Sequence, residues 1–171
     1  VTFTNASFAH TLSIYEIITP VKKLDEKYIP DTILRIKDAI GKPGTGKESE
    51  MFNSAKESSG YCSHAEGFET IASNTASHAE GYYAEASGDI SHAEGFHTTA
   101  SGDYSHAEGA DTTASGQLSH AEGSGTIARS PYQHTQGKNN IIDSEAIYAH
   151  IVGNGTDLNE RSNAHTLDWE G

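Results

Sequence analysis

The sequence predicts an all-β fold, a parallel β-solenoid of about six coils with 14 residues in each coil. The first observation is the pentapeptide SHAEG, which occurs at residues 63–67, 77–81, 91–95, 105–109 and 119–123. The second is that every unit has the same length, and units that repeat without insertions are typical of solenoid coils. The third is that only 35% of residues are hydrophobic, which favours a core of small side chains.

Glycines divide most units into two short strands and two connections. The glycines at the fifth position of the unit are predicted to occupy tight turns with positive φ: Gly67, Gly81, Gly95, Gly109, Gly123 and Gly137. A second set stands at the twelfth position: Gly60, Gly88, Gly102 and Gly116. A helix is disfavoured, because each glycine in a helix costs about 1 kcal/mol relative to alanine.

The repeats are predicted to form one domain over residues 51–142, flanked by segments 1–50 and 143–171. The last unit, QHTQGKNNIIDSEA, is degraded but keeps His134 and Gly137 in phase. In the N-terminal segment, Asp31 is a plausible N-cap for a short helix that ends near Ile40. The stretch TLSIYEIITPV before it suits an extended strand, and GKPGTGKE is interpreted as a flexible connector.

Side chains alternate between the two faces of a strand, so the alanine of each SHAEG is predicted to point inward. Thr70, Thr98, Thr112 and Thr126 fall in phase with a second row of alanines and are also expected inside. The outer face of the first strand is expected to carry large apolar residues: Ile90, Tyr104, Leu118 and Tyr132. A coil this thin buries little apolar area, so we expect an obligate parallel homotrimer.

The histidine and glutamate of each SHAEG are predicted to stack in a ladder near the trimer axis. Its members are His64, Glu66, His78, Glu80, His92, Glu94, His106, Glu108, His120, Glu122 and His134. The leading interpretation is a hydrogen-bonded ladder that fixes the register of chains or coils. The alternative is a divalent metal, zinc or nickel, held by three symmetry-related copies of one histidine, with His64, His78, His92, His106 and His120 as candidates.

Two expectations about the chemistry of the ladder follow. Pairing with glutamate should raise the histidine pKa, and the trimer should lose stability near pH 4–5, where glutamate begins to protonate. No catalytic residue is predicted, because a repeated pair without a unique cleft makes a poor active site.

The repeat S-H-A-E-G-x-x-T-x-A-S-G resembles the head repeat of YadA-type trimeric autotransporter adhesins, which are left-handed parallel β-rolls. The SHAEG variant also resembles stretches of phage and prophage tail-fibre and neck-appendage proteins. The segment YAHIVGNGTDLNERSNAHTLDWEG is similar to the lead into their C-terminal intramolecular chaperone, an autoproteolytic peptidase domain that is expected to be missing here. The resemblance implies a virion-tail or extracellular location and a single self-cleavage in the full-length parent chain.

The expected function is therefore a structural or adhesive segment of a trimeric fibre, and not an enzyme. Its expected partners are a host receptor or glycan and the adjoining fibre or baseplate proteins. Two alternatives stay open, part of a tail-spike enzyme acting on surface glycans and a His-rich metal-binding solenoid. The net charge of −13 argues against nucleic acid as a partner and against docking on anionic lipid. No apolar stretch approaches the length of a membrane span.

Overall fold

The computed structural model describes residues 42–46 and 49–171. The predicted N-terminal helix and the extended stretch before it lie outside the described residues. The described residues form strands, turns and bends, without a helix. In chain order the strands are β1 (Lys42–Pro43), β2 (Glu50–Ser54), β3 (Glu57–Ser58), β4 (His64–Phe68), β5 (Ile71–Ala72), β6 (His78–Tyr82), β7 (Glu85–Ala86), β8 (His92–Phe96), β9 (Thr99–Ala100), β10 (His106–Ala110), β11 (Thr113–Ala114), β12 (His120–Ser124), β13 (Ile127–Ala128), β14 (His134–Lys138), β15 (Tyr148–Asn154) and β16 (Asn163–Asp168).

The strands form two sheets that run along the length of the stack. The long strands make a sheet of order β1-β2-β4-β6-β8-β10-β12-β14-β15-β16, and the short strands make one of order β13-β11-β9-β7-β5-β3. Each SHAEG repeat contributes one strand to each sheet, and each strand pairs in parallel with the equivalent strand of a neighbouring repeat, as β8 does with β10. This arrangement, about seven coils of about 14 residues, confirms the predicted parallel β-solenoid.

The interior of the solenoid is made of small side chains, as predicted. One row is the alanine of each SHAEG and the other is the alanine of each short strand, all fully buried: Ala65, Ala79, Ala93, Ala107, Ala121, Ala72, Ala86, Ala100, Ala114 and Ala128. Thr70, Thr98, Thr112 and Thr126 are also 0% exposed. The side chains buried along the SHAEG repeats are no larger than threonine, so the core gains stability mainly from close packing along the stack.

The fifth-position glycines do not lie in turns, which corrects the sequence-based expectation. Gly95 is the fourth residue of the five-residue strand β8, and its φ of 113° is positive as expected. A Cβ added there would lie closer than 3.0 Å to the carbonyl oxygen of Gly109 in the next coil. The glycine is required because the strand takes a left-handed angle while the neighbouring backbone stacks against it.

The large apolar residues also depart from the expected position, because they lie in turns two residues before the long strands. Ile90, Tyr104, Leu118 and Tyr132 have φ between 54° and 60°, a conformation that L-residues seldom adopt. The N–H of Tyr104 donates to the Asp89 carbonyl one coil earlier, at 2.7 Å. Strand alternation cannot be extended through such a turn, since the turn rotates the chain. The side chains are exposed, as predicted, by 45–63%.

Antiparallel strands lie at both ends of the long-strand sheet. β1 pairs with β2, and β16 pairs with β15, in each case antiparallel. β15 itself continues the parallel stack beyond residue 142, with His150 paired to His134 across a 16-residue step. Next to the start of β15, the buried Gln133 amide donates to the Asp143 carboxylate and to the Tyr148 carbonyl, each at 2.9 Å. Larger and more polar side chains therefore replace the alanine core at this end.

Candidate functional site

A column of histidines runs along the outer face of the long-strand sheet. In each SHAEG strand the alanine points inward, so the histidine and the glutamate on either side of it point outward and are partly exposed. Parallel, in-register pairing then places each histidine over its equivalent in the next coil. His78 and His92 stack with ring centroids 4.7 Å apart and planes 2° apart, and His106 and His120 stack at 4.8 Å.

Four of the five SHAEG glutamates lie beside the histidine of the following coil. The distance from histidine Nε2 to glutamate Oε1 is 3.4 Å for His92–Glu80 and His106–Glu94, 3.3 Å for His120–Glu108 and 3.2 Å for His134–Glu122. His64 instead pairs with Glu66 of its own strand, at 3.6 Å. The structure thus brings the predicted ladder residues together within one chain, and their position relative to a trimer axis stays a prediction.

The hydrogen bonding of the column is incomplete. His120 and His134 have geometry that permits a hydrogen bond to glutamate. The Nε2 atoms of His78, His92 and His106 are buried and have no hydrogen-bond partner among the described residues. For His92 and His106 the glutamate oxygen is within ion-pair distance but outside hydrogen-bond geometry. A buried nitrogen without a partner costs free energy, so these three atoms mark where the column can take a ligand.

The electrostatics of the column oppose histidine protonation at two positions. Burial, followed by the neighbouring His92 and His64, lowers the pKa of His78 below 6.5, although Glu80 and Glu66 act in the opposite direction. Burial also lowers the pKa of His150, assisted by His134 and His165 and opposed by Glu122. For His78 this corrects the expectation that glutamate raises the pKa, because the loss of water and the stacked imidazoles outweigh the carboxylates.

The column also holds groups of three metal-ligating side chains. In each group, one ligand atom per residue lies within 4.8 Å of the other two, and the groups are His64–Glu66–His78, His78–Glu80–His92, His92–Glu94–His106 and Glu108–His120–Glu122. Imidazole nitrogen together with carboxylate oxygen is a donor set that zinc and similar transition metals accept.

Sequence reasoning missed one member of the column, His150. Its ring lies 5.0 Å from that of His134, which extends the column into β15. β15 lacks SHAEG, but β14 and β15 both keep the spacing His-x-x-Gly, with Gly137 paired to Gly153. That spacing was the available signal, and the two-residue insertion between the strands hid it.

A second exposed feature, an aromatic stack, was also missed. Phe68, Tyr82 and Phe96 end three successive long strands and are 41–47% exposed. Their rings stack with centroids 4.9 and 5.5 Å apart. The signal was the residue after each SHAEG, which is aromatic in the first three copies and Ala110 or Ser124 in the last two.

Comparison with known proteins adds no family. No protein-family model, curated protein or solved structure matches this chain. In the part of the chain that the structure describes, no helix is long and apolar enough to cross a bilayer. The fold and the column therefore define the chain as a β-solenoid repeat protein.

Proposed function

We propose that this chain is a structural and adhesive segment of a homotrimeric fibre, in which the solenoid serves as a rod. The observation that carries the proposal is the contrast between core and surface. The side chains buried along the repeats are alanine, threonine and serine, while the large apolar side chains, such as Tyr104 and Leu118, are about half exposed. Large apolar side chains at the same turn position of four successive coils form an extended surface that a second copy of the same chain can cover.

The fibre is proposed to belong to a phage or prophage tail, where it contacts a host receptor or glycan and adjoining tail proteins. The support is the resemblance of the SHAEG units, and of residues 148–171, to tail-fibre and neck-appendage proteins. The repeats are proposed to have no enzymatic role. Successive long strands from β4 to β14 start 14 residues apart without exception, so the coils have no inserted loop from which a substrate cleft could be built.

Sedimentation equilibrium of the full chain tests the trimer. The expected mass is three times 18.2 kDa at micromolar concentration. The variant Tyr104→Ser/Leu118→Ser should dissociate, because it removes apolar area from two adjacent coils. Ile141→Ser is the matched control, since Ile141 is 52% exposed but lies outside the repeated turn positions.

A folded wild-type monomer at that concentration would overturn the proposal. So would a double variant that is folded and still trimeric, because the exposed turn residues would then not form the contact.

A further inference from the structure

We infer that the histidine–glutamate column binds zinc ions within a single chain, at sites made by neighbouring coils. The zinc sites need no second copy of the chain, so they are independent of the trimer proposed above.

The distances in the column support this inference. Zn–N bonds of about 2.0–2.1 Å and Zn–O bonds of about 2.0–2.2 Å place the ligand atoms of a tetrahedral site about 3.3–3.5 Å apart. The histidine–glutamate pairs between coils are already at this separation, 3.4 Å for His92–Glu80 and for His106–Glu94. Only the third ligand of each group has to approach, from within 4.8 Å, which side-chain rotation supplies.

The unpartnered nitrogens are a second observation that supports zinc binding. Nε2 is one of the two imidazole nitrogens that can bind a metal, and in His78, His92 and His106 it lacks a hydrogen-bond partner among the described residues. Zinc coordination would satisfy a nitrogen that no hydrogen bond among the described residues satisfies. The side chains of His106 and Glu94 are still 34% and 37% exposed, so an ion can enter from solvent and a water can complete its coordination.

Charge and donor type select the ion. Each group of two histidines and one glutamate carries one negative charge when the imidazoles are neutral, on a chain with a net charge of −13. Imidazole nitrogen favours zinc over Mg²⁺ and Ca²⁺, which take oxygen ligands.

The way the groups share residues sets the number of ions. Of the four groups, the second shares His78 with the first and His92 with the third, so it cannot be filled together with either. The first, third and fourth groups share no residue, so the described residues are expected to hold at most three zinc ions per chain.

Calorimetric titration of the metal-free full chain with ZnCl₂ at pH 7.5 tests the count. Wild type should saturate at three zinc ions per chain. The variant His78→Gln/His106→Gln removes a ligand from each of the first three groups and should saturate at one. His97→Gln should still bind three, because His97 pairs with Asp111 and lies outside the groups. MgCl₂ and CaCl₂ should give no saturable heat.

Three results would overturn the inference. These are the absence of saturable zinc binding, an unchanged count in the folded double variant, and a count of five ions per three chains. The last is what one ion on each of the five rings of SHAEG histidines around a trimer axis would give.

Cobalt spectroscopy of the wild-type protein keeps the test decisive if the double variant does not fold. Co²⁺ in a four-coordinate site with imidazole and carboxylate ligands should give intense visible absorption, and stoichiometric Zn²⁺ should abolish it. Weak bands typical of hexa-aqua cobalt would contradict the inference.

Discussion

Replacing Gly95 by alanine is the most direct test of how the coils stack. The added Cβ would lie closer than 3.0 Å to the carbonyl oxygen of Gly109, whereas ordinary contact begins at 3.4 Å. The substitution should lower the free energy of unfolding in two ways, because the alanine must hold a φ of 113° and because the two coils must separate locally.

The magnitude follows from these two effects. A strained positive φ costs an L-residue about 1–3 kcal/mol. Separating the coils stretches the backbone bonds beside the glycine, such as the 2.9 Å bond from the Asp111 N–H to the Phe96 carbonyl. Weakening one such bond costs about 0.5–1.5 kcal/mol. The expected loss of unfolding free energy is therefore about 1.5–4.5 kcal/mol, which corresponds to a fall in Tm of at least about 3 °C.

Circular dichroism melting at fixed protein concentration measures this loss, since the Tm of an oligomer depends on concentration. Two further variants separate the causes. Gly102→Ala meets the Gly116 carbonyl oxygen equally closely, but Gly102 has no positive φ, so its loss should be smaller by the strain term. Ser101→Ala, at an exposed position in the same turn, should melt as wild type does.

A Tm for Gly95→Ala within 2 °C of wild type would refute the reasoning, since 2 °C corresponds to about 0.5–1 kcal/mol in a chain of this length. It would mean that neither the left-handed φ nor the close approach of the two coils is needed for the fold.

Three other predictions concern the core, the C-terminal end and pH. Ala93→Leu adds three carbons at a fully buried position and should cost at least about 1–3 kcal/mol in urea unfolding; an unchanged midpoint would be inconsistent with the narrow core. Arg161→Gln removes the guanidinium that donates to the Gly125 and Asn140 carbonyls at 2.7 and 3.1 Å. It should lower stability by about 1–3 kcal/mol and speed hydrogen exchange around β13, and unchanged exchange there would argue against this role. In metal-free protein, the lowered pKa values of His78 and His150 mean that protons bind the unfolded chain more tightly. The stability that depends on these two neutral histidines should therefore be fully present above the ordinary pKa of 6.5 and should be lost as the pH falls below it. The loss should be smaller in His78→Gln. Equal unfolding midpoints at pH 7.5 and 5.5 would contradict this prediction.

The sequence predicted the repeat region well because the period carries most of the information. A fixed 14-residue spacing with glycine and alanine in phase leaves few other folds, and the inward alanines and threonines follow from strand alternation. The histidine–glutamate column follows from the same two rules. These features depend on local pattern and on parallel stacking, and both can be deduced from one chain.

The features that could not be predicted depend on contacts between coils or on a break in the pattern. Strand alternation places Ile90 on a strand face, because an isoleucine in the sequence does not indicate a φ of 54°. The turn that holds this angle is stabilised by the neighbouring coil, which the local sequence does not show. His150 was missed because a 16-residue step replaces the 14-residue one. The pKa of His78 depends on the balance of burial against charge, which spacing alone does not contain.

The near identity of the coils has a consequence for folding. Five strands share the sequence SHAEG, so a nascent stack that slips by one whole unit still pairs histidine with histidine and alanine with alanine. Such a misaligned stack loses only the contacts of one coil, and local pairing cannot reject it. The residues that fix the number and register of the coils must therefore lie in the non-repetitive ends. There Ile151 fills a core position that alanine or threonine fills in the repeats, and β1 and β16 are the two outermost strands of the long-strand sheet. A variant without one of the ends should still form coils, but as a mixture of stacking registers. A variant without one internal unit should fold into a single register with one coil fewer.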